Sequence, residues 1–165
     1  MTDIFVISDT HFGHKNILTF RDSEEALIRG SMFSSIEEHD EMLVERWNSV
    51  VTPSSHVYHL GDVAIPRKAL SIISRLNGKK RLVRGNHDVF KTRDYLDAGF
   101  EEIHGVRVWP NHNIIMSHIP LHPSCLEGRG WINYHGHLHQ NIIDDEKYVN
   151  VSCEQINYTP LLLFR

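Results

Sequence analysis

The sequence predicts an α/β fold in which helices cover a largely parallel sheet. Three features carry that expectation: short apolar runs rich in β-branched residues, amphipathic segments between them, and polar residues of ligand type that close one run after another. The first run, Ile4-Phe5-Val6-Ile7, lacks polar alternation and reads as a strand buried on both faces. It runs into Ser8-Asp9-Thr10-His11. A helix over residues 35–50 follows, because Ser35-Ile36-Glu37-Glu38 fits a capping box and Ile36, Leu43, Trp47 and Val50 recur near multiples of 3.6. His39 falls on what reads as the solvated face of that helix. The next strand, residues 57–60, leads into Gly61-Asp62. A second helix starts at Pro66, lines one face with Leu70, Ile73 and Leu76, and stops before Gly78. Residues 81–84 form a strand ending in Gly85-Asn86-His87-Asp88, and Thr92–Ala98 a third helix closed by Gly99. Strands over residues 106–109, 114–116, 147–151 and 161–164 complete the reading, and the second of these leads into Ser117-His118.

The 165 residues suit one domain, 1–165, with one core and no need of staples. A hydrophobic share of 41% against 23% charge excludes a disordered or low-complexity chain. The net charge of −4 gives no overall positive field for nucleic acid or an anionic membrane. Cys125 and Cys153 stand apart and outside any CxxC spacing, so neither a disulfide framework nor a thiolate zinc site is indicated. No apolar run approaches the ~20 residues of a membrane span. The expectation is a cytoplasmic protein with no membrane attachment and no obligate protein partner.

The 13 histidines are the compositional oddity. Imidazole is the commonest metal ligand, and several histidines fall beside carboxylates at strand ends, where open α/β sheets bind ligands. Read in order, the ends give Asp9-x-His11, Gly61-Asp62, Gly85-Asn86-His87-Asp88, Ser117-His118 and Gly136-His137-Leu138-His139. On an extended segment, Asp-x-His and His-x-His put both side chains on one face. Carboxylate, amide oxygen and imidazole without thiolate suit Mn, Fe, Zn, Co or Ni.

In this order and combination the motifs resemble those of the calcineurin-like metallophosphoesterase superfamily, over Asp9 to His139. The opening Asp9-Thr10-His11-Phe12-Gly13-His14-Lys15-Asn16-Ile17 is similar to small single-domain bacterial and phage members. The resemblance implies a two-sheet β-sandwich flanked by helices and two divalent metal ions, manganese first, with Fe, Zn, Ni or Co as alternatives. It implies that Asp9, His11, Asp62 and His139 hold one ion and that Asp62, Asn86, His118 and His137 hold the other. Asp62 then bridges, one carboxylate oxygen to each cation, and a hydroxide held between the metals attacks phosphorus. His87 protonates the leaving group, and Asp88 orients His87. His14 and Arg129 are candidate substrate contacts, with a solvated cation as the other reading of Arg129; Lys15, Asn16 and Arg21 carry the same two readings. His56, His59, His104, His112 and His122 read as ordinary surface or hydrogen-bonded core residues, and Trp131 and Tyr134 as packing residues. The implied activity is hydrolysis of a phosphoester, and because 165 residues leave little material for a substrate-selecting cap, the open groove expected favours a phosphodiester of a nucleotide or small nucleic acid. A phosphomonoesterase and a non-catalytic metal-binding scaffold are the alternatives.

Overall fold

A computed structural model describes residues 2–128 and 130–165. Nine strands form two mixed sheets. The first contains β1 (Ile4–Ile7), β2 (His56–His59), β3 (Lys79–Val83), β4 (Phe100–His104) and β9 (Leu161–Phe164), in the order β4-β3-β2-β1-β9. Its first four strands are parallel, and β9 runs antiparallel to β1. The second contains β5 (Arg107–Trp109), β6 (Ile114–Met116), β7 (Ile132–His135) and β8 (Tyr148–Asn150) in chain order, parallel except for β5. The two-sheet α/β arrangement implied by the resemblance is the one observed.

The strand period of two explains why β1 is apolar throughout. Phe5 and Ile7 face a core shared with the helices, while Val6 faces the second sheet. On β2, Val57 joins the first core and Tyr58 the second; on β3 they are joined by Leu82 and Val83 respectively. The helical layer comprises α1 (Ile36–Val50), α2 (Thr92–Ala98) and, between them, a segment wound as a 3-10 helix over Arg67–Arg75. Ser35 caps α1 by accepting from the Glu38 amide, as the capping box requires. Leu43, Val44, Trp47, Leu70, Ile73 and Tyr95 fill the space beneath these helices.

Three elements depart from expectation. Val50 is exposed, whereas His39 is wholly buried. Position 39 lies one turn from both Ile36 and Leu43 and so shares their face; its polarity hid this. Strand β4 went unread because Glu101 and Glu102 interrupt Phe100 and Ile103 at a sheet edge, where both glutamates are exposed. Strand β7 was masked by Asn133, a buried residue that donates to the Ile115 carbonyl and Ser117 Oγ and accepts from the Leu121 amide. Tyr134 packs against the inter-sheet core. No helix among the described residues is long and apolar enough to cross a membrane.

Candidate metal centre

The parallel strands deliver their polar ends to one place. Asp9 and His11 follow β1, Asp62 follows β2, Asn86, His87 and Asp88 follow β3, His118 follows β6, and His137 and His139 follow β7. The first two loops run side by side: the Asp9 amide donates to the Gly61 carbonyl at 3.0 Å and the His11 amide to the Asp62 carbonyl at 3.0 Å.

Strand alternation is not what aims these side chains. Asp9, His11, Asp62, His137 and His139 all have left-handed backbone, with φ between 50° and 69°. Such angles are uncommon outside glycine and cost energy that the surrounding hydrogen bonds must offset. The left-handed residues break the extended conformation at Asp-x-His and His-x-His, and Asp9, His11 and His139 come together in one ligand group while His137 joins the other. Two glycines permit the close packing. A Cβ on Gly85 would lie 2.2 Å from Asp62 Oδ1, and one on Gly136 would lie 2.3 Å from Asp9 Oδ2 and 2.0 Å from Ser8 Oγ.

Two groups of ligand atoms result, Asp9 with His11 and His139, and Asp62 with His118 and His137, each group within 4.8 Å. Asp9 Oδ1 lies 3.8 Å from Nε2 of both His11 and His139. Asp62 Oδ2 lies 3.7 Å from His11 Nε2 and 3.4 Å from His118 Nε2. These gaps are too long for hydrogen bonds. They are close to the separation of two ligands on one cation, about 3.4 Å for tetrahedral bonds of ~2.1 Å.

The donor and acceptor pattern also fits a cation. Among the described residues, Asp9 Oδ1 and both ring nitrogens of His11 are buried without a hydrogen-bond partner, a costly state that an ion relieves. His118 Nδ1 meets the Leu60 carbonyl at 2.8 Å; a carbonyl only accepts, so Nδ1 carries the hydrogen. In the neutral ring, Nε2 then presents a lone pair to Asp62 Oδ2 and to Asn86 Oδ1, 2.9 Å away. Acceptor faces acceptor there, and a proton or a metal ion must lie between. Asn86 Oδ1 also sits 3.0 Å from His137 Nδ1. Burial raises the pKa of Asp9, yet the imidazoles of His11, His139 and His118 more than offset it and hold the carboxylate ionised.

Each aspartate offers one free oxygen. Asp9 Oδ2 is held by the His137 amide and Ser152 Oγ, both at 2.9 Å, and Asp62 Oδ1 by the His87 amide at 2.9 Å. The expectation that Asp62 offers a different oxygen to each cation is therefore corrected: Oδ2 alone faces both groups.

His87 is exposed, its ring edge-on to His11 with centroids 5.7 Å apart. Asp88 does not orient it. The buried Asp88 carboxylate accepts from the amides of Asp62 and Gly85 at 2.8 Å and of Val63 at 3.0 Å, which ties the β2 loop to the β3 loop. A short side chain two loops deep finds amides before it can reach the neighbouring ring. His14 lies half-buried with its ring 5.4 Å from that of His11, and burial pushes its pKa down to about 4. Arg129 lies outside the described residues. Lys15, Asn16 and Arg21 are exposed.

His59 is a hydrogen-bonded core residue, as expected. The Gly61 amide donates to its Nδ1 at 3.1 Å, so Nε2–H donates to Thr10 Oγ1 at 2.9 Å, and Thr10 donates to the Val63 carbonyl. Arg29 and Glu154 were missed. Glu154 Oε1 accepts from His139 Nδ1 at 3.0 Å, which leaves His139 Nε2 for Asp9. The sequence carried a signal for Glu154: Val149-Asn150-Val151 running into Ser152-Cys153-Glu154 repeats the strand-then-ligand pattern of the other motifs. Arg29, in a loop between no recognisable elements, carried none.

Comparison with known proteins agrees with this geometry. The family model described as calcineurin-like phosphoesterase matches residues 2–165. An uncharacterised protein of Methanocaldococcus jannaschii is 34% identical over 99% of this chain and 88% of its own length. The gene 66 protein of Mycobacterium phage L5 is 36% identical over 53% of this chain and 41% of its own. Among solved structures, a protein of unknown function from Aquifex aeolicus superposes with a TM-score of 0.73 at 25% identity, covering 98% of this chain and 96% of that one. The Pseudomonas putida nuclease MPE shares the fold, with a TM-score of 0.53 at 17% identity over 82% of this chain and 61% of its own. The chain belongs to the calcineurin-like phosphoesterase family.

Proposed function

We propose that this protein hydrolyses phosphodiesters, in nucleotides or at nucleic-acid ends, with two divalent cations, manganese foremost. One cation is held by Asp9, His11, Asp62 and His139, the other by Asp62, Asn86, His118 and His137. The observation that carries the reading is Asp62 Oδ2, the single free oxygen that faces both ligand groups. When bound, such a pair of ions supplies a water acidic enough to act as nucleophile near neutral pH and a grip on phosphoryl oxygens.

The chain supplies the rest. As the ester P–O bond breaks and a bond from water oxygen to phosphorus forms, the departing oxygen needs a proton. His87 is placed to give it, exposed beside the centre with its amide anchored on Asp62. His14 flanks the first ligand group on the side of Phe20, their rings 5.6 Å apart, where it can hold a substrate oxygen.

The diester preference rests on space beside the centre. A cavity of about 330 Å³ opens from Asn86 and His118 and is lined further by Arg84, Gly105, Val106 and Ile119. It gives room to a second ester substituent that a monoester lacks. Ser117, also in its lining, is occupied with the Ile119 carbonyl and Asn133. The shared fold with a protein named as a nuclease favours a nucleic-acid diester, and the net charge of −4 favours a nucleotide or a strand end over a long duplex. Cys125 and Cys153 are both free, which suits the cytoplasm.

The test is hydrolysis of bis-p-nitrophenyl phosphate beside p-nitrophenyl phosphate by chelator-stripped protein, with Mn²⁺, Ni²⁺, Co²⁺ or Zn²⁺ restored singly. Metal-restored cleavage favouring the diester is expected. Cleavage of the monoester alone would replace the diester reading, and no turnover by folded, metal-loaded protein would replace it with a binding scaffold.

A further inference from the structure

Arg29 is wholly buried, and its guanidinium group reaches three parts of the chain. Nη2 donates to the Asp9 carbonyl at 2.6 Å, and Nη1 to the Thr10 carbonyl at 3.3 Å. Nε donates to Glu154 Oε1 at 2.7 Å. Nη1 also lies 3.1 Å from His39 Nε2. Arginine only donates, so this nitrogen of His39 accepts, and its Nδ1–H donates to Asp40 Oδ1 at 2.9 Å. Asp40 Oδ2 in turn accepts from the Gly13 amide at 2.9 Å. The guanidinium thus joins helix α1, the Asp9–His11 loop and the Glu154 segment.

A buried ion pair is weak grounds for stability, because desolvation of both charges opposes their attraction. The contacts of this one point to geometry instead. Glu154 Oε1 accepts from Arg29 and from His139 Nδ1 together. A carboxylate only accepts, so it fixes the His139 tautomer with the lone pair on Nε2, toward Asp9 Oδ1. The two carbonyls that Arg29 holds belong to the left-handed turn, with φ of 59° at Asp9 and 50° at His11. The hydrogen bonds and ion pairs of Arg29 and Glu154 reach Asp9, Thr10, His39 and His139, and none reaches Asp62, His118 or His137 among the described residues.

We infer that Arg29 and Glu154 form a positioning pair for one half of the centre, the Asp9, His11 and His139 half, and set its affinity for a cation independently of the other half. This rests on the two-cation reading above.

The experiment is Mn²⁺ titration of the stripped full chain by calorimetry, with free Mn²⁺ followed by electron paramagnetic resonance. The unsubstituted protein binds two ions; if it does not, the two-cation reading fails before any variant is made, and this inference falls with it. In Glu154→Leu, which has no acceptor, one of the two ions is expected to bind about 10–100-fold more weakly while the other keeps its affinity. Because that change leaves the Arg29 charge unpaired, the Arg29→Met, Glu154→Leu double variant is measured beside it and should show the same selective loss. Nitrogen-15 spectra of the metal-free proteins, recorded at a pH alkaline enough to deprotonate His139, whose pKa is pushed down by burial but raised on balance by the Glu154 carboxylate, give a second readout: the neutral His139 should be a single Nδ1–H tautomer in the unsubstituted chain and a mixture in both variants. Folded variants that keep both affinities, or that lose both alike, would overturn the inference, as would an unchanged His139 tautomer.

Discussion

Asp9, His11 and His139 stand against a buried ionic network, whereas Asp62, His118 and His137 stand beside Asn86 and His87, both exposed. The first group is tied to a helix, through Arg29 and His39, and to the end of the second sheet, through Glu154 and Ser152. The second is tied mainly to backbone: His118 to the Leu60 carbonyl and Asp62 to the His87 amide. One half is therefore scaffold on three sides. The other is scaffold below and open above at Asn86, and the exposed His87 lies between the halves, its amide on Asp62 and its ring against His11. Asp62 belongs to both, since its free oxygen faces His11 as well as His118.

The largest effect is expected where the halves meet. Asp62→Asn should weaken both ions and reduce turnover to that of the metal-free protein; two ions bound at the original affinity by the folded variant would dissolve the link between the halves. Next comes the open side. His87→Ala should keep both ions and lose about 10²–10⁴-fold in turnover of a diester with a poor leaving group. The loss should shrink with p-nitrophenolate, which leaves without a proton; equal losses with both would give His87 some other task.

The closed side is probed by Gly136→Ala, whose methyl group would meet Asp9 Oδ2 and Ser8 Oγ. Displacing Asp9 and the His137 turn together should cost about 10²-fold in turnover, the scale of a 1 Å misplacement. Unchanged turnover in the folded Gly136→Ala protein would contradict the close-packing account.

The smallest effect concerns the scaffold's acid sensitivity. Burial pushes His59 from its ordinary 6.5 down to about 3, so the folded chain keeps this imidazole neutral where the unfolded chain takes up a proton. Stability from this group is complete above pH 6.5. It falls as pH drops toward 3, with a slope of up to about 1.4 kcal/mol per pH unit. In urea unfolding of the metal-free protein between pH 7 and 4, His59→Asn should show a shallower decline by close to one proton. An identical slope would mean that His59 is not held neutral.

Much of the fold was legible because β1 is apolar on both faces, β2 and β3 carry the apolar pairs Val57-Tyr58 and Leu82-Val83, and all three run into ligand-type residues. What hid β4 and β7 was polarity with a tertiary explanation, exposed glutamates at a sheet edge and a buried asparagine satisfied by four partners. The candidate ligands were legible as a pattern, but the reason they converge was not. Left-handed turns at Asp9, His11, Asp62, His137 and His139, rather than strand alternation, bring them together, and nothing in Asp-x-His announces a positive φ. Asp88 shows the same limit from the other side: its place next to His87 suggested a hydrogen bond to the ring, whereas two amides of the loop after β2 and one of its own loop claim it. Arg29 illustrates what a local pattern misses altogether, since its partners lie at Asp9, Thr10, His39 and Glu154.

The most direct test of the central claim is anomalous diffraction from crystals soaked in Mn²⁺, recorded at the manganese edge. Two peaks are predicted, one among Asp9, His11 and His139 and one among Asn86, His118 and His137, with Asp62 Oδ2 in the shell of both. A single peak, or two peaks with Asp62 bound to only one, would contradict it.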